Sequence, residues 1–211
     1  MRRRLLLAFL LGLTALAQAA EDSPAQQLLK EAELDRGSEV MTLMVRGVDP
    51  NVRDAKRQTP LHLALVNESE MALKALMAHP LLDVNAINAA AETPLMLAAL
   101  KGRLDWAKLL VQRGALVNEA GWNALHYAAS GPDNGVTAWL LQQGAEIDAL
   151  SPNGTTALMM AAGYGSPTVA EALLAAGADA ALRNQQGLDA ADFAGRAQRS
   201  ELQKKLRAAR R

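Results

Sequence analysis

Thr59-Pro60-Leu61-His62-Leu63-Ala64 is the stretch against which the rest of the chain can be aligned. It returns as Thr93-Pro94-Leu95-Met96-Leu97-Ala98, as Asn123-Ala124-Leu125-His126-Tyr127-Ala128 and as Thr156-Ala157-Leu158-Met159-Met160-Ala161, with a worn copy at Asp189-Ala190-Ala191-Asp192-Phe193-Ala194. The starts lie 34, 30, 33 and 33 residues apart, and a period of that size marks an array of stacked repeats. A residue that ends helices follows the first four starts at a fixed offset: Pro80, Gly114, Gly144 and Gly177. Upstream, Gly47-Val48-Asp49-Pro50-Asn51 closes a degenerate first unit that begins near Pro24.

The residue types explain the period. Thr59 and Thr93 suit helix N-caps, with Pro60 and Pro94 at the first helical position, where the missing N–H costs nothing. Ala64, Ala98, Ala128 and Ala161 recur where neighbouring first helices must approach closely. A second helix is predicted over 104–113, with Leu109, Leu110 and Val111 buried between repeats. Gly114, Gly144 and Gly177 can take the left-handed conformation that ends such a helix. One helix pair cannot bury its own apolar face, so neighbouring pairs must supply the core.

Thr-Pro-Leu-His-x-Ala, with Gly-Ala-x-x-Asn/Asp at the right offset, resembles the ankyrin repeat over residues 24–206. The resemblance implies an all-α solenoid of helix-turn-helix units, each with a projecting β-turn finger. About four full repeats are expected, over 59–92, 93–122, 123–155 and 156–188. An N-terminal cap unit (24–58) and a C-terminal cap unit (189–206) would close the 20–206 domain, leaving 207–211 as a basic tail. Three departures stand out. The repeat over 59–92 ends its second helix in His79-Pro80 rather than Gly, and the third finger, Asn118 to Asn123, is about three residues short. Ser130 to Gly135 lengthens the loop in the next repeat, which should shorten its second helix.

Residues 1–19 read as a signal peptide, with Met1-Arg2-Arg3-Arg4, an apolar run from Leu5 to Leu16 and Ala17-Gln18-Ala19 as cleavage site. No later run approaches the ~18 apolar residues of a membrane span, so the mature chain is expected to be exported without a stable span. Arg exceeds Lys by 15 to 7, which together with abundant Ala suggests a bacterial periplasm. The chain carries 22 basic and 22 acidic residues, but unevenly. Residues 20–195 hold 12 Lys/Arg against 21 Asp/Glu, a balance of −9, and residues 196–211 hold 7 against 1, a balance of +6. An acidic body with 3% aromatics argues against nucleic acid. With no cysteine there is no disulfide, thiolate nucleophile or Cys-type zinc site. The 43 alanines fit small, closely stacked helices.

No catalytic motif is present: no Gly-x-Ser-x-Gly, phosphate loop, His-Glu-x-x-His or calcium loop. His62 and His126 sit two repeats apart, so with helices packed ~8–10 Å apart they are separated by roughly 20 Å and cannot share an ion. They read as structural histidines bonded to backbone and cap, and His79 as a helix-end residue. Carboxylates such as Asp83, Glu92, Glu119 and Asp148 are scattered. No catalytic residue, metal or cofactor is expected.

Function is therefore expected on the surface, and the resemblance implies a protein partner bound by finger tips and the concave face. Positions just before the repeat starts are Gln58, Glu92, Trp122 and Thr155. Those at the ends of the first helices include Asn67, Lys101, Ser130 and Tyr164, with Val66, Leu100, Gly131 and Gly163 beside them. Arg57 and Asn153 would form a polar rim, with Asp54 and Lys56. Trp122 either anchors the partner or folds down to fill the gap left by the short finger, while Trp106 and Trp139 belong to the core. The first expectation is a non-catalytic periplasmic binding module, monomeric when free. It resembles small exported bacterial ankyrin proteins, some of which support or protect a periplasmic catalase and so serve in oxidative stress. The alternatives are an immunity protein that blocks an exported toxin, and a hydrolase or metal enzyme on the finger face.

Overall fold

A computed structural model describes residues 22–132 and 134–210; the expected signal peptide and Asp133 lie outside the described residues. Six helix pairs follow one another: α1 (Pro24–Glu33) with α2 (Gly37–Val45), α3 (Pro60–Val66) with α4 (Glu70–Met77), α5 (Pro94–Leu100) with α6 (Leu104–Gln112), α7 (Ala124–Ala129) with α8 (Gly135–Gln142), α9 (Ala157–Gly163) with α10 (Pro167–Ala175), and α11 (Ala190–Arg196) with α12 (Ser200–Ala208). No strand occurs among the described residues, and no helix among them is long and apolar enough to cross a membrane. The fold is an all-α solenoid.

The odd-numbered helices form one row, α1 on α3 through to α9 on α11, and the even-numbered helices lie outside it. Ala64, Ala98, Ala128, Ala161 and Ala194 take the same place in successive units and are all essentially inaccessible. A methyl there is the largest group the spacing admits, since a core already packed to solid density strains when it is overfilled. Leu61, Leu95, Leu125 and Leu158 are buried beside them. Each first helix starts on a side-chain cap: Thr59 accepts from the backbone N–H of His62, Thr93 from Met96, Asn123 from Leu125 and His126, Thr156 from Met159, and Asp189 from Asp192. Gly114, Gly144 and Gly177 end α6, α8 and α10 in the left-handed region, at φ +93°, +84° and +99°.

Adjacent units are also clamped by the asparagine that closes each Gly-Ala-x-x-Asn segment or its equivalent. Asn51 donates to the carbonyl of Leu81 and accepts from the N–H of Asp83. Asn85 does the same with Gly114 and Leu116, and Asn118 with Gly144 and Glu146. The finger turns join laterally in two places, Ala89 N–H to Lys56 carbonyl and Gln185 N–H to Asn153 carbonyl, each at 2.9 Å. No such bond reaches the short third finger among the described residues.

Three details refine the sequence expectation. Leu110 is buried, but Leu109 and Val111 are only half-buried, because one face of α6 meets the neighbouring units and the flanking residues turn away from it. After the long loop at Ser130, α8 has 8 residues, as α4 does, one fewer than the 9 of its neighbours α6 and α10. The helix before the loop, α7, is also short, with 6 residues against 7 in α3, α5 and α9. Finally, α12 runs past residue 206, and Arg210 folds back onto Asp189. Asp189 is fully buried, and its Oδ2 pairs with the guanidinium groups of Arg210 at 2.6 Å and Arg183 at 3.2 Å. Both are ion pairs without hydrogen-bond alignment, since Oδ2 has no hydrogen-bond partner.

Candidate functional site: a depression on the concave face

The shortened third finger and the short helix α7 bring Trp122, Ser130 and Tyr164 to one depression of about 340 Å³. Leu100, Tyr127 and Met160 complete its wall. The Trp122 ring meets the His126 ring edge to face, with centroids 5.2 Å apart and planes at 76°. Trp122 is half-buried: it packs on His126 beside the short finger and also borders the depression. Tyr164 remains 66% exposed. Just beyond it, a Cβ added at Gly165 would stand 2.0 Å from the carbonyl oxygen of Ala129, so the chain can pass there only without a side chain.

Glu92 lies behind this wall. One carboxylate oxygen accepts from the Tyr127 hydroxyl at 3.3 Å and the other from the Asn88 amide at 2.8 Å, while its backbone carbonyl faces His62 Nε2 at 3.1 Å. Burial first, and then the charge of Glu92, push the Tyr127 phenol up to about 12, so Tyr127 is a neutral donor. On its other side Trp122 borders a second hollow of about 500 Å³, lined by Ile87, Leu116, Glu119 and Pro152. Burial raises the Glu119 carboxyl above the usual carboxylate range.

The other expected contact residues are not gathered there. Lys101 pairs with Glu68 at 3.3 Å, and Asn67 is exposed with its amide donating to the Leu63 carbonyl. Arg57 is exposed on the first finger at φ +59°, and Gln58 beside it is half-buried. Asn153 is exposed on the fourth finger, its side chain accepting from Ser151. Thr155 is only 2% exposed and offers no contact surface: its carbonyl is turned inward to His126 Nε2 at 2.9 Å. Trp106 is buried with Arg103 stacked 3.7 Å from its ring centre, whereas Trp139 is half-buried.

Tyr127 and Met160 were missed as surface residues. They occupy the variable place of the repeat signature, filled elsewhere by Leu63, Leu97 and Phe193. A polar aromatic in a place otherwise held by apolar side chains is the signal that could have found Tyr127.

His62 and His126 are buried, and desolvation holds both imidazoles below their usual pKa. His79 sits at the end of α4, its Nδ1 accepting from the N–H of Leu81. No group of three or more His, Cys, Asp or Glu placed to hold a metal occurs among the described residues.

The family described as "Ankyrin repeats (3 copies)" matches residues 28–120 and 115–184. Ankyrin repeat and SAM domain-containing protein 6 of Rattus norvegicus is 33% identical over 114 residues, 52% of this chain and 13% of that protein. The nuclear factor NF-kappa-B p105 subunit of Gallus gallus is 30% identical over 168 residues, 76% of this chain and 17% of that protein. The chain thus spans less than a fifth of the length of these curated relatives. Among solved structures, a similar chain comes from the predatory endopeptidase Bd0816 of Bdellovibrio bacteriovorus in complex with immunity protein Bd3460. The TM-score is 0.74 at 27% identity, covering 87% of this chain and 97% of that one. Repeat signature, stacked helix pairs and matched residues agree: the chain belongs to the ankyrin-repeat family.

Proposed function

We propose that this chain is a non-catalytic, periplasmic protein-binding module that closes the active site of an exported enzyme, in the manner of an immunity protein. The observation that carries the reading is the likeness to the chain from the Bdellovibrio bacteriovorus complex, which extends over 97% of that chain. Likeness to the curated relatives takes in only a small part of each of them. The aromatic depression at Trp122, Tyr127 and Tyr164 supplies anchors of the kind that dominate interfaces. Export rests on the arginines, apolar run and Ala-x-Ala of residues 1–19. Protection of a catalase rests on resemblance to other small exported ankyrin proteins, with no residue of this chain behind it. Among the described residues no group of three or more His, Cys, Asp or Glu supports a metal enzyme.

The test is capture from periplasmic extract with wild type and with Trp122→Ala, followed by assay of the captured enzyme against rising amounts of the chain. Loss of activity complete at one-to-one stoichiometry, and weakened by Trp122→Ala, is the expected result. Unchanged activity with a longer enzyme lifetime would replace inhibition with protection. Hydrolysis catalysed by the chain alone would overturn the binding-module reading.

A further inference from the structure

We propose that the depression on the concave face receives a guanidinium group, the side chain of an arginine on the partner protein, held among the rings of Trp122, Tyr127 and Tyr164. The proposal deepens the reading of this face as the partner-binding surface and rests on it. The chain has only seven aromatic residues, and three of them line this one hollow. Aromatic faces carry negative potential, and rings gathered around a hollow are a recurrent receptor for a cation. Leu100 and Met160 offer apolar surface for the arginine stem, which such side chains bury while their charged heads stay polar.

The charge around the hollow favours the same occupant. No Lys or Arg lines it. The cations that follow Leu100 in sequence are engaged elsewhere, Lys101 with Glu68 and Arg103 with Glu70 and Asp105. Glu92 places a carboxylate directly behind the Tyr127 hydroxyl. His126, also on the wall, is an uncharged ring because burial disfavours its cation. The solenoid body as a whole carries 12 basic against 21 acidic residues. Stacking between guanidinium and indole already occurs within this chain, where Arg103 covers Trp106. Arginine suits the hollow better than lysine because its planar, weakly hydrated group stacks on rings.

The test uses N-acetyl-arginine amide, with the citrulline and norleucine amides as neutral probes, in NMR titrations of the full chain followed at the indole N–H of Trp122. The arginine probe is expected to bind roughly twofold to fivefold more tightly than either neutral probe, as one exposed cation–π site predicts. Tyr164→Ala should weaken it several-fold. That side chain is mostly exposed, so the fold is retained, and an unchanged thermal melt verifies it. Glu92→Gln should weaken the arginine probe and leave the norleucine probe unchanged. Equal binding of the norleucine probe, or no arginine response at Trp122, overturns the proposal in favour of an apolar occupant or none. An inhibited enzyme without an arginine response leaves the enzyme-blocking reading standing. An arginine response without any inhibited enzyme does the reverse.

Discussion

The two repeat histidines make different bonds at their caps. His62 and His126 both point Nε2 at a backbone carbonyl, Glu92 at 3.1 Å and Thr155 at 2.9 Å, so Nε2 carries the proton and Nδ1 is an acceptor. Thr59 can satisfy that acceptor with its hydroxyl, 2.8 Å away. Asn123 presents its side-chain oxygen at the same distance while that oxygen accepts from the N–H groups of Leu125 and His126. Turning the amide round would supply a donor to Nδ1 and leave those two N–H groups without an acceptor. As placed, His126 Nδ1 keeps the backbone N–H of Asn123 as a donor at 3.4 Å but faces the Asn123 oxygen acceptor to acceptor at 2.8 Å. Asn123→Thr is therefore expected to stabilise the chain by about 0.5–1.5 kcal/mol, read as a higher denaturation midpoint with an unchanged slope. Both imidazoles are held neutral, chiefly by desolvation, so their folded pKa lies below the ordinary 6.5. The unfolded chain then binds more protons, and the histidine contribution is fully present above pH 6.5 and is lost as pH falls below it. Urea titrations over that range should show falling stability in the wild type and a flatter profile in a His62→Gln/His126→Gln variant.

At the level of elements, helix starts were legible because cap and first turn are local, and the structure finds Thr59, Thr93, Asn123 and Thr156 where the signature puts them. The end of α4 was not. Pro80 stands where other repeats have glycine, and what replaces the glycine cap is Arg113, from the end of the next second helix. Its guanidinium donates to the carbonyls of Met77 and His79. A bond between residues more than thirty positions apart leaves no trace in local pattern, and neither do the Asn51, Asn85 and Asn118 clamps. Tyr127 escaped because its position reads as core, whereas Leu63, Tyr127, Met160 and Phe193 are all only half-buried at that place and Leu97 alone is buried. Arg113→Ala strips the last turn of α4 of its donors and is expected to cost about 1–3 kcal/mol. Hydrogen exchange should quicken first in α4 rather than throughout the array. Lys101→Ala, which breaks only an exposed pair with Glu68, should leave the melt nearly unchanged.

For the whole molecule, charge and shape separate how fast a partner arrives from how long it stays. The acidic body, 12 basic against 21 acidic residues over 20–195, generates a field that reaches well beyond contact and is screened by salt. The hollow at Trp122 and Tyr164 acts only at contact. Part of the basic charge of the last unit is paired within the fold: Lys204 with Glu201, Lys205 with Glu171 and Arg210 with the buried Asp189. That leaves the acidic body as the dominant long-range feature a partner meets. Association with a partner that presents arginine should therefore slow as salt is raised, by roughly tenfold or more across the physiological range of ionic strength. Tyr164→Ala should leave that rate almost unaltered and raise the dissociation rate instead, because the ring contributes packing and no net charge. Stopped-flow binding of wild type and variant at low and high salt separates the two effects. A salt-independent association rate would show that the acidic body does not steer the partner, and would locate recognition in the depression alone.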